Sequence, residues 1–163
     1  VLCMLAAQKT ATSPTAPSDG FTQLNEALAL APTDPRVLLA TAGVLRDAGV
    51  EALQAGLRAK AYEAFERALG HGLAGLRERK TQGYETVLSL RMDEARFLSV
   101  LVSSYALLGQ SDRAEQLLNE LRPNAPPSAR AALGSVFHKY TTIRKRALRG
   151  DSADETTDAP RNR

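Results

Sequence analysis

The side chains able to do chemistry in this chain are few and far apart. The single cysteine is Cys3, the histidines are His71 and His138, and two acidic pairs stand out, Asp93 with Glu94 and Asp112 with Glu115. The histidines belong to no ligand-spaced cluster, so a metal site is not expected. Cys3 sits in an apolar run, which raises a thiol's pKa and leaves it unactivated. One cysteine also rules out an intrachain disulfide. The glycines are dispersed, with no P-loop and no dinucleotide fingerprint. Both acidic pairs read as helix caps and first-turn charges. No enzymatic mechanism, metal or cofactor is expected.

The remaining charged feature is basic. The formal charge is +3 over 163 residues, but residues 128–149 hold Arg130, Lys139, Arg144, Lys145, Arg146 and Arg149 with no acid. Residues 150–163 carry Asp151, Asp154, Glu155 and Asp158 against Arg161 and Arg163. These two segments contribute +6 and −2, which leaves −1 for everything else. Basicity is therefore the property of one helix, suited to nucleic acid, anionic lipid or an acidic protein.

The elements that position these groups are helices. Ala and Leu dominate, aromatics are 5% and Trp is absent, a balance that favours helix over strand. Residues 1–8, VLCMLAAQ, read either as a signal-peptide remnant or as the last turns of a helix, and export and a cytoplasmic location both stay open. With no Met at position 1, the chain reads as a fragment or a processed form. Residues 10–20 form a Pro/Ser/Thr-rich loop. Helical spacing follows at 21–32 and 33–49, with Asp34 as N-cap, Pro35 in the first turn and Gly49 as the stop. The next helix is strongest over 57–69 and ends at Gly70 and Gly72; residues 73–91 are expected to break near Gly83. Helices are then expected over 93–109, capped by Asp93, over 111–123, and over 128–148, capped by Ser128. Residues 150–163 read as a disordered polar tail. No run of 18 apolar residues exists, so no membrane span is expected.

Two to five residues join most of these helices, which makes neighbours antiparallel. Leu98, Leu101, Val102, Tyr105, Gly109, Ala114, Leu118, Leu121 and Pro126 are spaced as in a 34-residue helical repeat. Leu24, Ala27, Leu30 and Pro32 match the end of such a unit. Leu38, Ala42, Leu45 and Gly49 match the start of another, whose Ala61, Phe65 and Ala68 fit after a seven-residue insertion within 50–60. An ungapped register starting at Ala42 also fits, including Gly49 and Gly56, but it places two glycines inside its first helix, so the inserted register is preferred. In this spacing the chain resembles the tetratricopeptide repeat family, departing from it at Leu121, where a small residue is usual.

The resemblance implies an all-α fold of antiparallel helical hairpins stacked in a right-handed superhelix over 21–127, with 128–149 as a basic amphipathic capping helix. It also implies a non-enzymatic scaffold that binds a protein, peptide or helix in a concave groove. The groove-lining positions are Arg36, Leu39, Ala40, Gly43, Arg46 and Asp47 in the middle unit, and Arg96, Phe97, Val100, Ser103, Ala106 and Leu107 in the last. The Lys/Asn set of chaperone-tail-binding members is absent. Many of these residues can instead simply pack against neighbouring helices. The alternative is a nucleic-acid or anionic-surface binder acting through Lys139, Arg144, Lys145 and Arg146, and a third reading is a regulatory region of a larger signalling protein.

Overall fold

A computed structural model describes residues 17–81, 87–120 and 127–150. Every regular element among them is a helix: α1 (Pro17–Leu30), α2 (Pro35–Gln54), α3 (Arg58–Thr81), α4 (Val87–Leu108), α5 (Ser111–Glu120) and α6 (Pro127–Arg149). The fold is all-α. The readings made of 1–8, of residues 10–16 of the loop, of Gly83, of Leu121 and Pro126, and of residues 151–163 of the tail lie outside the described residues; residues 17–20, expected to end the 10–20 loop, are instead the first turn of α1, where Pro17 needs no N–H partner.

Local chemistry sets the start of α2. Asp34 is extended, and its carboxylate accepts a 2.8 Å hydrogen bond from the Arg36 N–H, while Pro35 occupies the first turn, where a missing N–H costs nothing. The helix does not stop at Gly49. It runs on to Gln54, because Gly49 is a point of close approach: a Cβ there would stand 2.5 Å from Cε1 of Phe65 and 3.2 Å from the Ala61 carbonyl. The reversal falls instead at Gly56, at φ +77°, a left-handed conformation that favours glycine. The seven residues read as an insertion are therefore the last turns of α2 and the turn itself, and the spacing is the ungapped one.

The same turn recurs. Gly109 lies at φ +78° after α4. In both turns the glycine N–H donates to the carbonyl three residues back, Gly56 to Leu53 and Gly109 to Ala106, each at 3.1 Å. In both, the next N–H reaches five residues back, Leu57 to Ala52 at 2.8 Å and Gln110 to Tyr105 at 2.9 Å. This is a Schellman ending, which satisfies the last carbonyls of each helix. Gly49, Gly56, Ala61 and Phe65 are spaced as Val102, Gly109, Ala114 and Leu118 are. Thus α2–α3 and α4–α5 are two hairpins with one turn geometry.

Gly70 and Gly72 do not end α3 either; both are interior. Gly72 faces Leu101, and Gly75 faces Phe97 and Leu38, so the two glycines let α4 cross α3 at short range. Helix α4 starts at Val87, which puts Asp93 inside the helix and not at its cap. Asp112 is a first-turn acid of α5 and not its cap, and α6 begins at Pro127, one residue before Ser128.

Helix α4 is central. It touches α2, α3, α5 and α6, and every residue from Leu101 to Leu107 is buried. One cluster joins Leu53, Ala61, Phe65, Ala106, Leu107 and Tyr140, and a second joins Leu101, Tyr105 and Ala114. Helix α6 thus covers α4 and also reaches α2.

Candidate functional site

Of the groove-lining residues expected from sequence, the structure leaves few open. Arg36 and Arg96 are exposed and Leu39 is half-buried. Phe97, Val100 and Ser103 are buried, as are Ala106 and Leu107. They are core residues and not an open binding face. The physical reason is that α3 closes on α4 through Gly72 and Gly75, while α6 lies over the C-terminal half of α4.

Arg46 marks the place where α2, α4 and α6 meet. Its guanidinium holds the Asp47 carboxylate at 2.8 Å through Nη2 and at 2.9 Å through Nε. Nη1 donates to Ser103 Oγ at 3.5 Å, and the Ser103 hydroxyl donates onward to the Val100 carbonyl at 2.9 Å. The same guanidinium lies 5.3 Å from the centre of the Tyr140 ring, within cation–π range. Lys139 Nζ is also 5.3 Å from that ring. Burial pushes the Tyr140 phenol pKa up, Arg46 pulls it down, and Asp47 pushes it up. The phenol stays neutral here, and no activated base adjoins it. The arrangement fastens α6 to the first hairpin.

The basic helix divides into two faces. Arg144 falls four residues after Tyr140 and seven after Phe137, on the inward face, and is half-buried. Its guanidinium lies against Gly109: a Cβ at that glycine would stand 2.6 Å from Nη2. A cation beside the carbonyl end of α4 is favourable, although the buried Nε has no hydrogen-bond partner. Arg144 is therefore removed from the expected anion-binding set. The sequence carried a signal for this, the shared helical phase with Tyr140. Lys139, Lys145, Arg146 and Arg149 are exposed. None of the four forms an ion pair with a described residue. At the far end, Arg58 donates to the Leu148 carbonyl at 3.5 Å, a further tie between α3 and the end of α6.

No group of three or more His, Cys, Asp or Glu able to hold a metal exists among the described residues. His71 is half-buried, and its pKa is pushed down first by burial and then by Arg67. His138 is exposed. A shallow depression lined by Asp112, Glu115, Gln116 and Asn119 lies wholly on the outer surface of α5, where no second helix supplies a lining group. No described helix is long and apolar enough to cross a membrane. No protein-family model, no curated protein and no solved structure matches this chain.

Proposed function

We propose that this chain is a non-enzymatic helical-repeat module of tetratricopeptide type that binds a protein or peptide partner. The observation that carries the reading is the hairpin turn used twice, with the same glycine conformation and hydrogen-bond pattern at Gly56 and Gly109. Units that repeat a turn and stack through small residues are built to extend a surface, and extended surfaces serve binding. The partner side is the accessible remainder of the first-helix faces, with Arg36, Leu39 and Arg96 as contacts and Arg46 at the edge. Two exposed guanidinium groups suit an acidic group on the partner.

The second reading is favoured by one observation, the four exposed cations on α6. They suit a polyanion, with affinity that falls steeply as salt rises. Partner capture on the immobilised chain separates the two. Capture should weaken with Arg36→Glu and with Arg96→Glu and should survive Lys139→Gln/Lys145→Gln/Arg146→Gln. The opposite pattern sinks the groove reading and leaves the basic face.

A further inference from the structure

Helices α3 and α5 mix signs on their exposed faces. Lys60, Arg67 and Arg77 stand beside Glu63 and Glu66 on α3, and Arg113 stands between Asp112 and Glu115 on α5. Interspersed charge of this kind is what keeps a surface in water. Helix α6 departs from it. Residues 127–150 hold no acid, and Lys139, Lys145, Arg146 and Arg149 are exposed. At about 100° per residue, the four fall within an arc of about 120°, spread over about 15 Å of helix axis.

What shares that arc decides the partner. The apolar side chains of α6 are spent inward: Val136, Phe137, Ile143 and Ala147 pack on the core around buried Tyr140. None is left to enter a bilayer, as the apolar face of an interfacial helix must. The arc also holds no Phe, Tyr or Trp on which unpaired bases could stack. Phosphate pairing remains. A DNA duplex carries about one charge per 1.7 Å of axis, so about nine face the 15 Å that the cations span.

The N-terminal half of α6 suits the same partner for a second reason. In the same arc, one to three turns before Lys139, the exposed residues include Ser128, Ala131 and Ser135. Side chains this short make the helix slender enough for a groove about 12 Å wide. The deep, narrow major groove of an RNA duplex does not admit it. No Asn, Gln or Arg lies in that part of the arc, so base edges go unread.

We infer that the outer face of α6 binds double-stranded DNA without regard to sequence. Its N-terminal half enters the major groove, and Lys139, Lys145, Arg146 and Arg149 pair with phosphates along the groove's edge. The inference rests on the second reading above, polyanion binding, and is independent of a role for α2 and α4.

Fluorescence anisotropy of the full chain against a short mixed-sequence DNA duplex tests it. Four phosphate pairs give a slope of about −3.6 in log affinity against log salt, a loss of about 150-fold between 50 and 200 mM. Lys139→Gln and Arg149→Gln should each reduce the slope by about one, and replacing all four cations by Gln should abolish binding. Lys60→Gln/Arg67→Gln/Arg77→Gln/Arg113→Gln removes the same charge from other helices and should leave the slope unchanged. Ala131→Leu keeps the charge and should weaken binding with the slope retained, because it widens the helix at the groove. An unbound duplex with heparin still held by the four cations would overturn the inference and leave the polyanion reading standing. Heparin unbound as well would sink both. RNA duplex bound as tightly as DNA, tighter binding to phosphatidylserine vesicles, or a slope unchanged in the α6 quadruple variant would each overturn the inference too.

Discussion

Replacing Gly49 by alanine separates two roles that a glycine can have in this fold. Gly49 lies inside α2, where alanine gains about 1 kcal/mol of helix propensity over glycine. Against that stands the space. The new methyl would sit 2.5 Å from Cε1 and 2.7 Å from Cδ1 of Phe65, and 3.2 Å from the Ala61 carbonyl oxygen. Phe65 is fully buried and cannot swing into solvent. Overpacking of that kind costs about 1–3 kcal/mol, so the net effect is a loss of about 1 kcal/mol. For a chain of this size that lowers Tm by about 2–4 °C. Gly43, six residues earlier in the same helix, has nothing within 4 Å of a built Cβ. Alanine there keeps the propensity gain alone and should stabilise by about 0.5–1 kcal/mol. Urea unfolding with an unchanged m-value would measure both. The reasoning fails if Gly49→Ala is as stable as the parent, or if both variants shift the midpoint in the same direction.

Two further outcomes follow from the same geometry. Gly56→Ala meets no neighbour and should lose about 1 kcal/mol from its left-handed backbone alone, whereas Gly109→Ala also drives a methyl into the Arg144 guanidinium and should lose more; equal losses in urea unfolding would remove Arg144 from that site. His71 has a depressed folded pKa, so its contribution to stability is present above the unfolded value near 6.5 and is lost as pH falls through the folded value. His71→Gln should therefore flatten the stability profile between pH 7 and 5, and a profile unchanged by the substitution would refute the assignment.

What could be read in the sequence was local. The Asp34–Pro35 start of α2 and the Gly109 turn depend only on residues within one helical turn, and both stand as expected. From sequence Gly49, Gly70 and Gly72 read as stops, because a glycine that ends a helix and one that admits a neighbour are the same residue. For Gly49 and Gly72, what decides is Phe65 on one facing helix and Leu101 on another. Helix α3 runs through the polar residues after Arg77 to Thr81 and buries Arg79, while the break expected near Gly83 lies outside the described residues. Phe97, Val100 and Ser103 share a helix face that an open array would expose, and only the position of α3 and α6 in space buries them. Arg144 was grouped with Lys145 and Arg146 by adjacency, whereas helical phase sends it to the opposite face.

The contact of α6 with the first hairpin changes how the molecule comes apart. Repeat arrays whose units touch only their neighbours can fray from either end, one unit at a time. Here Arg58 meets the Leu148 carbonyl across 90 residues of chain, and Arg46 meets Tyr140. Helix α6 is thereby latched to the first hairpin. Loss of α6 uncovers parts of α2 and α4, so unfolding gains cooperativity, and folding waits on a long-range closure that a linear array does not require.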